Sequence, residues 1–161
     1  MNNILIRKIE PQDNTVLAKI IRNALTEFGA NKPGTVFFDE STDHLYELFS
    51  TGMGVYHVAV VANEVVGGAG IYHTEGLADD TCELVKMYLA PGARGKGIAS
   101  ILMQKCLDAA LSAGYKKVYL ETMPELVVAV PMYQQYGFSS LTAPLGNSGH
   151  NGCNIWMTKT L

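Results

Sequence analysis

The sequence predicts a single α/β domain of the α+β kind over residues 1–161, and three observations support this class. A chain of 161 residues with 48% hydrophobic residue types suffices for one packed core. Residues 82–113 combine an apolar strand, a glycine-rich turn and a helix. The remaining apolar segments follow the order β-α-α-β-β-β-α-β-α-β-β.

The first two predicted elements are a short strand and an amphipathic helix. Ile4, Leu5, Ile6 and Ile9 form the strand, which Pro11 ends. Asp13 stands where an N-cap belongs, and Gly29 is the expected stop. The apolar stripe of this helix comprises Val16, Leu17, Ile20, Ile21, Ala24, Leu25 and Phe28.

The next segment contains turns, a short helix and a hairpin. Residues 30–42 are turn-rich but carry Phe37 and Phe38, and a helix is expected over 43–50. Strands are predicted over 55–62 and 64–72, with a polar hairpin between them. Three glycines stand inside the second strand, namely Gly67, Gly68 and Gly70. They indicate a bulge or close strand packing more than direct contact with a ligand.

The turn after the central strand predicts a phosphate site. The strand over residues 82–90 ends at Pro91-Gly92, and the following helix ends at Gly114. The first amides of this helix point outward without partners, and the helix dipole favours an anion there. Gly95 and Gly97 permit close approach of a pyrophosphate, while Arg94 and Lys96 add positive charge. The spacing fits neither the Walker pattern nor the dinucleotide fingerprint.

The last part of the chain predicts one more strand–helix unit and a final pair of strands. A strand over residues 118–123 is broken by Pro124-Glu125 and followed by a helix that ends at Gly137. Pro131 means that this helix either starts near Val130 or bends. The last strands are expected over 138–141 and 155–159.

Three sequence elements together carry a resemblance to a known family. The run from Arg94 to Ala99, RGKGIA, resembles the R/Q-x-x-G-x-G/A signature of the GNAT superfamily of acetyl-CoA-dependent acyltransferases. Glu83 stands eleven positions before Arg94, where many members carry a strand glutamate that acts as a base. The segment from Ala129 through Tyr133 to Phe138 is similar to the family's A-x-x-x-Y-x-x-x-GF motif. The resemblance covers roughly residues 55–140.

The resemblance implies a fold and a cofactor site. The fold is a mixed, mostly antiparallel sheet of about seven strands with about four helices, splayed open between the fourth and fifth strands. Acetyl-CoA would lie in that gap, where unpaired strand backbone can bond the pantetheine arm. The residues expected to hold it are Met87, Tyr88, Leu89, Arg94, Gly95, Lys96, Gly97, Ile98, Ala99 and Ser100. The asparagine that many members carry after the fifth strand is absent, since residues 123–128 read MPELVV.

Two catalytic roles follow from the resemblance and from the chemistry of acyl transfer to an amine. Glu83 is the candidate base, directly or through a water, because burial among apolar groups would raise its pKa. An ion pair with a neighbouring strand is the alternative for this carboxylate. Tyr133 is the candidate proton donor to the departing thiolate, and packing is its alternative. Cys82 and Cys106 have no base beside them in the sequence, which favours direct attack in a ternary complex over an acyl-cysteine intermediate.

The acceptor is expected to be a primary amine of a small molecule or peptide. Phe37 and Phe38 are candidates for one wall of its site, with core packing as the alternative, and His150 and Asn151 are candidates if the last hairpin folds over the gap. Acidic residues near the presumed walls mildly favour a cationic amine, although each is also an ordinary surface residue. These residues are Asp39, Glu40, Asp43, Glu47, Asp79 and Asp80.

Composition and charge argue against several other classes of function. A net charge of −3 without a Lys or Arg run gives nucleic-acid binding little support. No apolar run has membrane length, and Met1-Asn2-Asn3 leads directly into a strand without a signal peptide, so we expect a cytoplasmic protein without a membrane partner. Three scattered cysteines predict free thiols and no metal. The sequence is compatible with either a monomer or a homodimer. The alternative function is an acyl-CoA-binding sensor with little turnover.

Overall fold

The computed structural model describes residues 3–161 and contains the elements in the predicted order; Met1 and Asn2, expected before the first strand, lie outside the described residues. The strands are β1 (Ile4–Lys8), β2 (Gly54–Val61), β3 (Glu64–Tyr72), β4 (Thr81–Leu89), β5 (Lys117–Thr122), β6 (Ser139–Leu141) and β7 (Ile155–Thr160). The helices are α1 (Asn14–Glu27), α2 (Leu45–Leu48), α3 (Ile98–Ser112) and α4 (Ala129–Gln135). The predicted helix over 43–50 is thus shorter, because residues 40–43 form a 3-10 turn instead.

The seven strands form one sheet in the order β1-β2-β3-β4-β5-β7-β6. Neighbours are antiparallel except for β4 and β5, which are parallel. This parallel pair is in register over three positions only, from Thr81 opposite Lys117 to Glu83 opposite Tyr119. Beyond Glu83 the two strands diverge. The mixed sheet splayed between its fourth and fifth strands is therefore confirmed.

The helices cover both faces of the sheet. On one face, α3 and α4 pack over a core that includes Leu102, Cys106 and Met157. On the other face, α1 and α2 pack over a second core that includes Leu17 and Tyr56. Helices α1 and α3 both contact β4, and the divergence of β4 from β5 leaves an opening at the edge of β4. Within residues 3–161, no helix combines the length and apolar character that crossing a bilayer requires.

The glycines of β3 make room for a buried tyrosine. A Cβ at Gly70 would lie 2.7 Å from a ring carbon of Tyr56, a side chain with no exposed surface. Gly68 faces the same ring. The Tyr56 hydroxyl crosses β3 and donates a 2.7 Å hydrogen bond to the carbonyl of Lys86 on β4. The close-packing interpretation of these glycines is confirmed.

Asp13 does not cap α1 with its side chain, although it occupies the N-cap position. Its carboxylate instead accepts two hydrogen bonds from the Arg7 guanidinium, at 2.7 and 2.9 Å, and one from the amide of Glu10 at 2.8 Å. A bidentate arginine outcompetes a single helix amide for a carboxylate. Asp13 therefore ties β1 to the start of α1.

The helix α4 begins next to the predicted start near Val130, and Pro131 lies in its first turn. The helix begins at Ala129, so the proline is its third residue. Amides in the first turn of a helix have no partner within the helix, and the missing N–H of proline costs nothing there. The position of Tyr133 on α4 is thus set by an undistorted first turn.

Candidate active site

The divergence of β4 and β5 opens a cleft of about 360 Å³, here called the splay cleft. The unpaired part of β4 forms one wall, the turn before α3 forms the end, and α4 with the end of β5 forms the opposite wall. Its lining includes Met87, Tyr88, Leu89, Arg94, Gly95, Gly97, Ile98, Ala99, Ser100 and Tyr133. Nine of the ten predicted cofactor residues thus line one cleft, and the tenth, Lys96, lies exposed in the same turn.

Backbone groups of β4 face the splay cleft at every second residue. The amide of Ala90 donates to the carbonyl of Val66 on β3 at 2.8 Å, so it points away from the cleft. Since backbone direction alternates along a strand, the groups of Met87 and Leu89 point towards β5, where no strand pairs with them. The backbone of Tyr88 points to β3 instead, and its side chain lines the cleft.

The turn before α3 presents a row of free amides. The first helical bond runs from the amide of Ile101 to the carbonyl of Gly97, and within residues 3–161 the six amides of residues 95–100 donate to no backbone carbonyl. Gly95 and Gly97 have φ of 73° and 81°, and a Cβ at either would meet no protein atom within 4 Å. The glycines therefore serve the left-handed backbone and the open approach to it, which is how a helix N-terminus accommodates phosphate.

Arg94 is held beside this turn by several contacts. Its guanidinium makes a 2.9 Å ion pair with Glu27, donates to the carbonyl of Leu89 at 3.2 Å and lies 5.1 Å from the ring centroid of Phe28. The arginine thus braces α1 against the end of β4. Its charge is shared with Glu27, so the free amides and Lys96 supply much of the attraction for an anion.

Tyr133 lies on α4 with its side chain in the splay cleft. Its ring packs edge-on against Phe138, with centroids 5.8 Å apart, and the residue is buried. Burial raises the pKa of Tyr133 to about 12, so the hydroxyl keeps its proton at neutral pH. A protonated hydroxyl facing the cleft can donate a hydrogen bond to a bound group.

A second cavity of about 220 Å³ lies across β4 from the splay cleft and is here called the Glu83 cavity. Its lining comprises Asp39, Ser41, Leu48, Tyr72, Thr74, Glu75, Glu83, Val85, Lys86, Asn147, Ser148 and His150. A smaller space of about 50 Å³, lined by Glu83, Lys86, Tyr88 and Cys153 among others, shares walls with both larger ones. Glu83 lines the second cavity and the small space, whereas Lys86 lines all three spaces.

Glu83 is a buried carboxylate with a strongly raised pKa. The residue is 4% exposed, and its Oε1 accepts a 2.6 Å hydrogen bond from the Thr74 hydroxyl. Burial raises the pKa of Glu83 to about 7, and the nearby charge of Glu121 adds to this, while Thr74, His150 and Lys86 oppose it. A carboxyl group with such a pKa can take up and release a proton at physiological pH.

Hydrogen bonds join the remaining polar groups of the Glu83 cavity. Glu121 accepts from the hydroxyl of Tyr119 at 2.7 Å and from that of Ser148. His150 Nε2 lies 2.6 Å from Asp39 Oδ2, and His150 Nδ1 lies 3.8 Å from Glu121 Oε1. This network brings the loop before β7 and the turn after α1 together over the cavity.

Glu83, Glu121 and His150 each place one oxygen or nitrogen within 4.8 Å of the others. Three such atoms have the number and type that a metal ion can use. In the structure they already take part in bonds to Thr74, to Ser148 and Tyr119, and to Asp39. The three side chains thus belong to one hydrogen-bonded network. That the reaction uses no metal stays a prediction.

Of the four predicted acceptor residues, the structure places only His150 against the Glu83 cavity. Phe37 packs in the second core under Arg22, whereas Phe38 is 62% exposed. Asn151 is exposed and sits against Gly34, beside the backbone bond from Gly152 to Gly34. The loop before β7 presents His150 and Ser148 to the Glu83 cavity.

Comparison with known proteins identifies the family. The sequence model of the Acetyltransferase (GNAT) family matches residues 19–138. The chain belongs to the GNAT acetyltransferase family. It is an N-acetyltransferase, in agreement with its 39% identity, over the full length of both chains, to the uncharacterized N-acetyltransferase YjgM of Escherichia coli K12.

Solved structures of GNAT proteins share this fold. An acetyltransferase of the GNAT family from Staphylococcus aureus Mu50 superimposes with a TM-score of 0.88 at 18% identity, covering 99% of each chain. The PaiA N-acetyltransferase of Thermoplasma acidophilum, solved in complex with coenzyme A, gives 0.76 at 16% identity and also covers 99% of each chain. Both comparisons show that the chain shares the fold of these proteins.

Sequence reasoning missed several side chains that build the Glu83 cavity. Thr74 and Glu121 are ordinary strand-end and strand residues in the sequence, and their contacts to Glu83 and His150 arise only when distant strands align. Lys86 was also missed, because its inward position depends on an irregularity of β4. A lysine among the apolar residues at the end of this strand was the one available signal for it.

Proposed function

We propose that this N-acetyltransferase transfers the acetyl group of acetyl-CoA to a primary amine by direct attack within a ternary complex. The observation that carries the proposal is the position of Glu83, a carboxylate with a pKa of about 7 that lines both the cavity that bears its name and the small space adjoining the splay cleft. The thioester would arrive from one side and the amine from the other.

Acetyl-CoA would occupy the splay cleft. The outward backbone groups of Met87 and Leu89 would bond the amides of pantetheine as an added strand does, and the side chain of Tyr88 would line its path. The pyrophosphate would lie on the free amides of the turn before α3. The residues proposed for this part are Arg94, Gly95, Lys96, Gly97, Ile98, Ala99 and Ser100.

The amine needs a base. An alkylamine with a pKa of about 10.4 is neutral in roughly one molecule of a few thousand at pH 7, and its attack on a thioester releases a further proton. Glu83, which is ionised in about half of the molecules at pH 7, would accept a proton directly or through a water. Thr74 would hold the carboxylate in position. The oxyanion of the tetrahedral intermediate would take a hydrogen bond from an outward amide of β4, such as that of Met87.

Tyr133 would stabilise the departing thiolate. With a pKa of about 12, it lies about 3.5 units above a thiol in water, so complete proton transfer to a hydrated thiolate is uphill by about 5 kcal/mol. Burial raises the pKa of a thiol in the same cleft as well, which reduces this difference. A hydrogen bond from Tyr133 to sulfur, strengthening as negative charge develops, is the role that fits these values.

The structure supports direct attack over an acyl-cysteine intermediate. Cys153 is the cysteine closest to the chemistry, since it lines the small space beside Glu83. Burial and the neighbouring carboxylates of Glu121, Glu83 and Asp39 raise its pKa to about 12. A thiol that remains protonated is a poor nucleophile.

A screen of thiol release tests the proposal. Purified protein with acetyl-CoA would be offered amines, amino acids, polyamines and peptides, with mass spectrometry of the acetylated product. We expect turnover with at least one amine class and stoichiometric acetylamine. Thermal stabilisation by acetyl-CoA without turnover of any amine would contradict the proposal and favour the acyl-CoA sensor.

A further inference from the structure

Lys86 is the one lysine of β4, and an irregularity of the strand turns it inward. Opposite β3, the pairing passes from Val85 with Gly70 to Tyr88 with Gly68, so β4 holds one extra residue between these pairs. Lys86 takes up this bulge with a φ of 52°. Its carbonyl is fixed by the Tyr56 hydroxyl. The Lys86 side chain therefore lines the Glu83 cavity and is only 5% exposed.

The ammonium of Lys86 has no hydrogen-bond acceptor within residues 3–161. Its one charged neighbour within 4 Å is Asp39, whose Oδ2 lies 3.9 Å from Nζ. Charge-assisted hydrogen bonds between nitrogen and oxygen measure about 2.7–2.9 Å. The same Asp39 oxygen is already bonded to His150 at 2.6 Å. Burial lowers the pKa of Lys86, and the charges of Asp39 and Glu83 oppose this, so an anionic group that accepts hydrogen bonds from Nζ would favour the ammonium form.

The other charges of the cavity do not fill that need. Both oxygens of Glu121 are bonded, to Tyr119 and Ser148. One oxygen of Glu83 is bonded to Thr74, and this carboxyl group is half protonated near pH 7. The cavity thus offers a proton acceptor at Glu83 and, three residues along the same strand, an ammonium without an acceptor. A ligand that matches both carries an amine and an anionic oxygen.

We infer that the acceptor is an amine that also carries a carboxylate, and that Lys86 binds this carboxylate while Glu83 faces the amine. The inference rests on the proposed acetyl transfer and narrows its substrate class to amino acids and related amino carboxylates. The cavity of about 220 Å³ is smaller than the roughly 300–1,000 Å³ of pockets for drug-sized ligands, which favours a small acceptor. Lys86 acts as a binding residue, outside the proton transfers.

Matched substrates separate this inference from the proposed function. Three compounds share one side chain: L-phenylalanine, its primary amide and 2-phenylethylamine; L-alanine, its amide and ethylamine form a second set. Rates of thiol release give kcat/KM, expressed per neutral amine because the three amines differ in pKa. For at least one set we expect the free carboxylate to be preferred by about 10- to 100-fold, the size of a hydrogen bond to a charged group.

Two variants assign the preference to Lys86. Lys86→Met keeps the length of the side chain and loses the charge, and it should lower the ratio of carboxylate to amide substrate by about 10- to 100-fold, chiefly through KM. Lys86→Arg keeps a cation and should retain most of the ratio. Thermal melts of both variants check folding. If Lys86→Met does not fold, the inference is judged from the ratio of carboxylate to amide substrate in the parent and in Lys86→Arg.

The outcomes differ for the two claims. Turnover that is indifferent to the carboxylate, or a preference unchanged in Lys86→Met, would overturn the inference and leave Lys86 as a structural partner of Asp39. Acetyl transfer itself would then stand. Failure to turn over any amine would overturn the proposed function and the inference with it.

Discussion

Replacement of Glu83 by glutamine should change both the rate of the protein and the shape of its pH profile. The carboxyl group is 4% exposed, and burial raises its pKa to about 7 from an ordinary value of 4.5. Glutamine keeps the shape and can still accept the hydrogen bond from Thr74. What disappears is the group that takes the proton of the amine.

The structure sets the expected magnitudes. With an amine of pKa about 10, log kcat/KM should rise with a slope of about 2 below pH 7, where both Glu83 and the amine lose protons, and of about 1 above it. In Glu83→Gln the slope should be about 1 throughout, and the rate at pH 8 should fall by about 100-fold.

The same shift makes a prediction about stability. In the unfolded chain Glu83 ionises near pH 4.5, whereas in the folded protein it holds its proton to about pH 7. The native state therefore binds more protons in this window, and its stability falls as pH rises through it. The total is about 3 kcal/mol. At pH 8, Glu83→Gln should accordingly be more stable than the parent by up to that amount. At pH 4 the difference in stability between the two should be smaller.

Thiol release with the best amine from the screen, measured from pH 5.5 to 9, tests the profile, and urea melts at pH 4 and 8 test stability. Thr74→Val is the matched control, because it removes the hydrogen bond that lowers the pKa of Glu83. The bend in the pH profile of Thr74→Val should lie at a pH about one unit higher than in the parent. A parent profile with a slope of 1 throughout, superimposable on Glu83→Gln, would refute the assignment of Glu83 as base.

Three further predictions concern the cleft and the fold. Tyr133→Phe should lower kcat by about 10- to 1,000-fold while the Kd of coenzyme A, measured by calorimetry, stays within about twofold. Gly97→Ala should abolish most of the thermal stabilisation by coenzyme A, because a methyl group enters the space in front of the free amides. Gly114→Ala is its control, since Gly114 also has a positive φ and open space but lies at the far end of α3. Asp13→Asn should cost about 1–3 kcal/mol in urea melts, because it weakens the pair with Arg7. Burial raises the pKa of Asp13, but the hydrogen bonds from Arg7 and from the amide of Glu10 more than offset this, so the pKa is depressed. The difference in stability from the parent should become smaller as pH falls through this depressed pKa.

Each of these has a result that would count against it. Full kcat in a folded Tyr133→Phe would mean that the hydroxyl does not stabilise the departing thiolate. Equal loss of ligand stabilisation in Gly97→Ala and Gly114→Ala would point to backbone strain instead of blocked binding. Parent stability in Asp13→Asn at pH 7 would mean that the amide satisfies Arg7 as well as the carboxylate does.

The elements around the splay cleft could be predicted because the sequence signals for them are local. The turn before α3 combines breakers, positive-φ glycines and a helical period within about twenty residues. Once the family motifs are recognised, their order along the chain places Arg94, Gly97 and Tyr133 at one cleft. The short parallel pairing of β4 with β5 then follows from the fold.

The acceptor side could not be predicted, since its contacts join distant parts of the chain. Asp39 and His150 are 111 positions apart, yet they form a hydrogen bond over the Glu83 cavity. Counting acidic residues could not tell which of them face the cavity: Asp43 is paired with Arg22 and Glu47 is bonded to Asn14, whereas Asp39 lines it. Burial and pairing decide which charges act on a ligand, and neither is written in the sequence.

Lys86 shows a second limit. Strict alternation along β4 would carry residue 86 to the face opposite Glu83, and the bulge reverses this. The Tyr56 hydroxyl binds the carbonyl of the bulged residue, and it reaches across β3 because glycines leave room for its ring. Three strands have to be in register before the position of this lysine is defined.

The most direct test of the account is the intact mass of the protein during acetyl transfer. After incubation with acetyl-CoA alone, we expect the mass of the unmodified chain, and after addition of the amine we expect acetylamine and free coenzyme A in equal amounts with the chain still unmodified. An acetyl adduct that forms without the amine, maps to Cys153 and passes to the amine at the rate of turnover would contradict direct attack in a ternary complex.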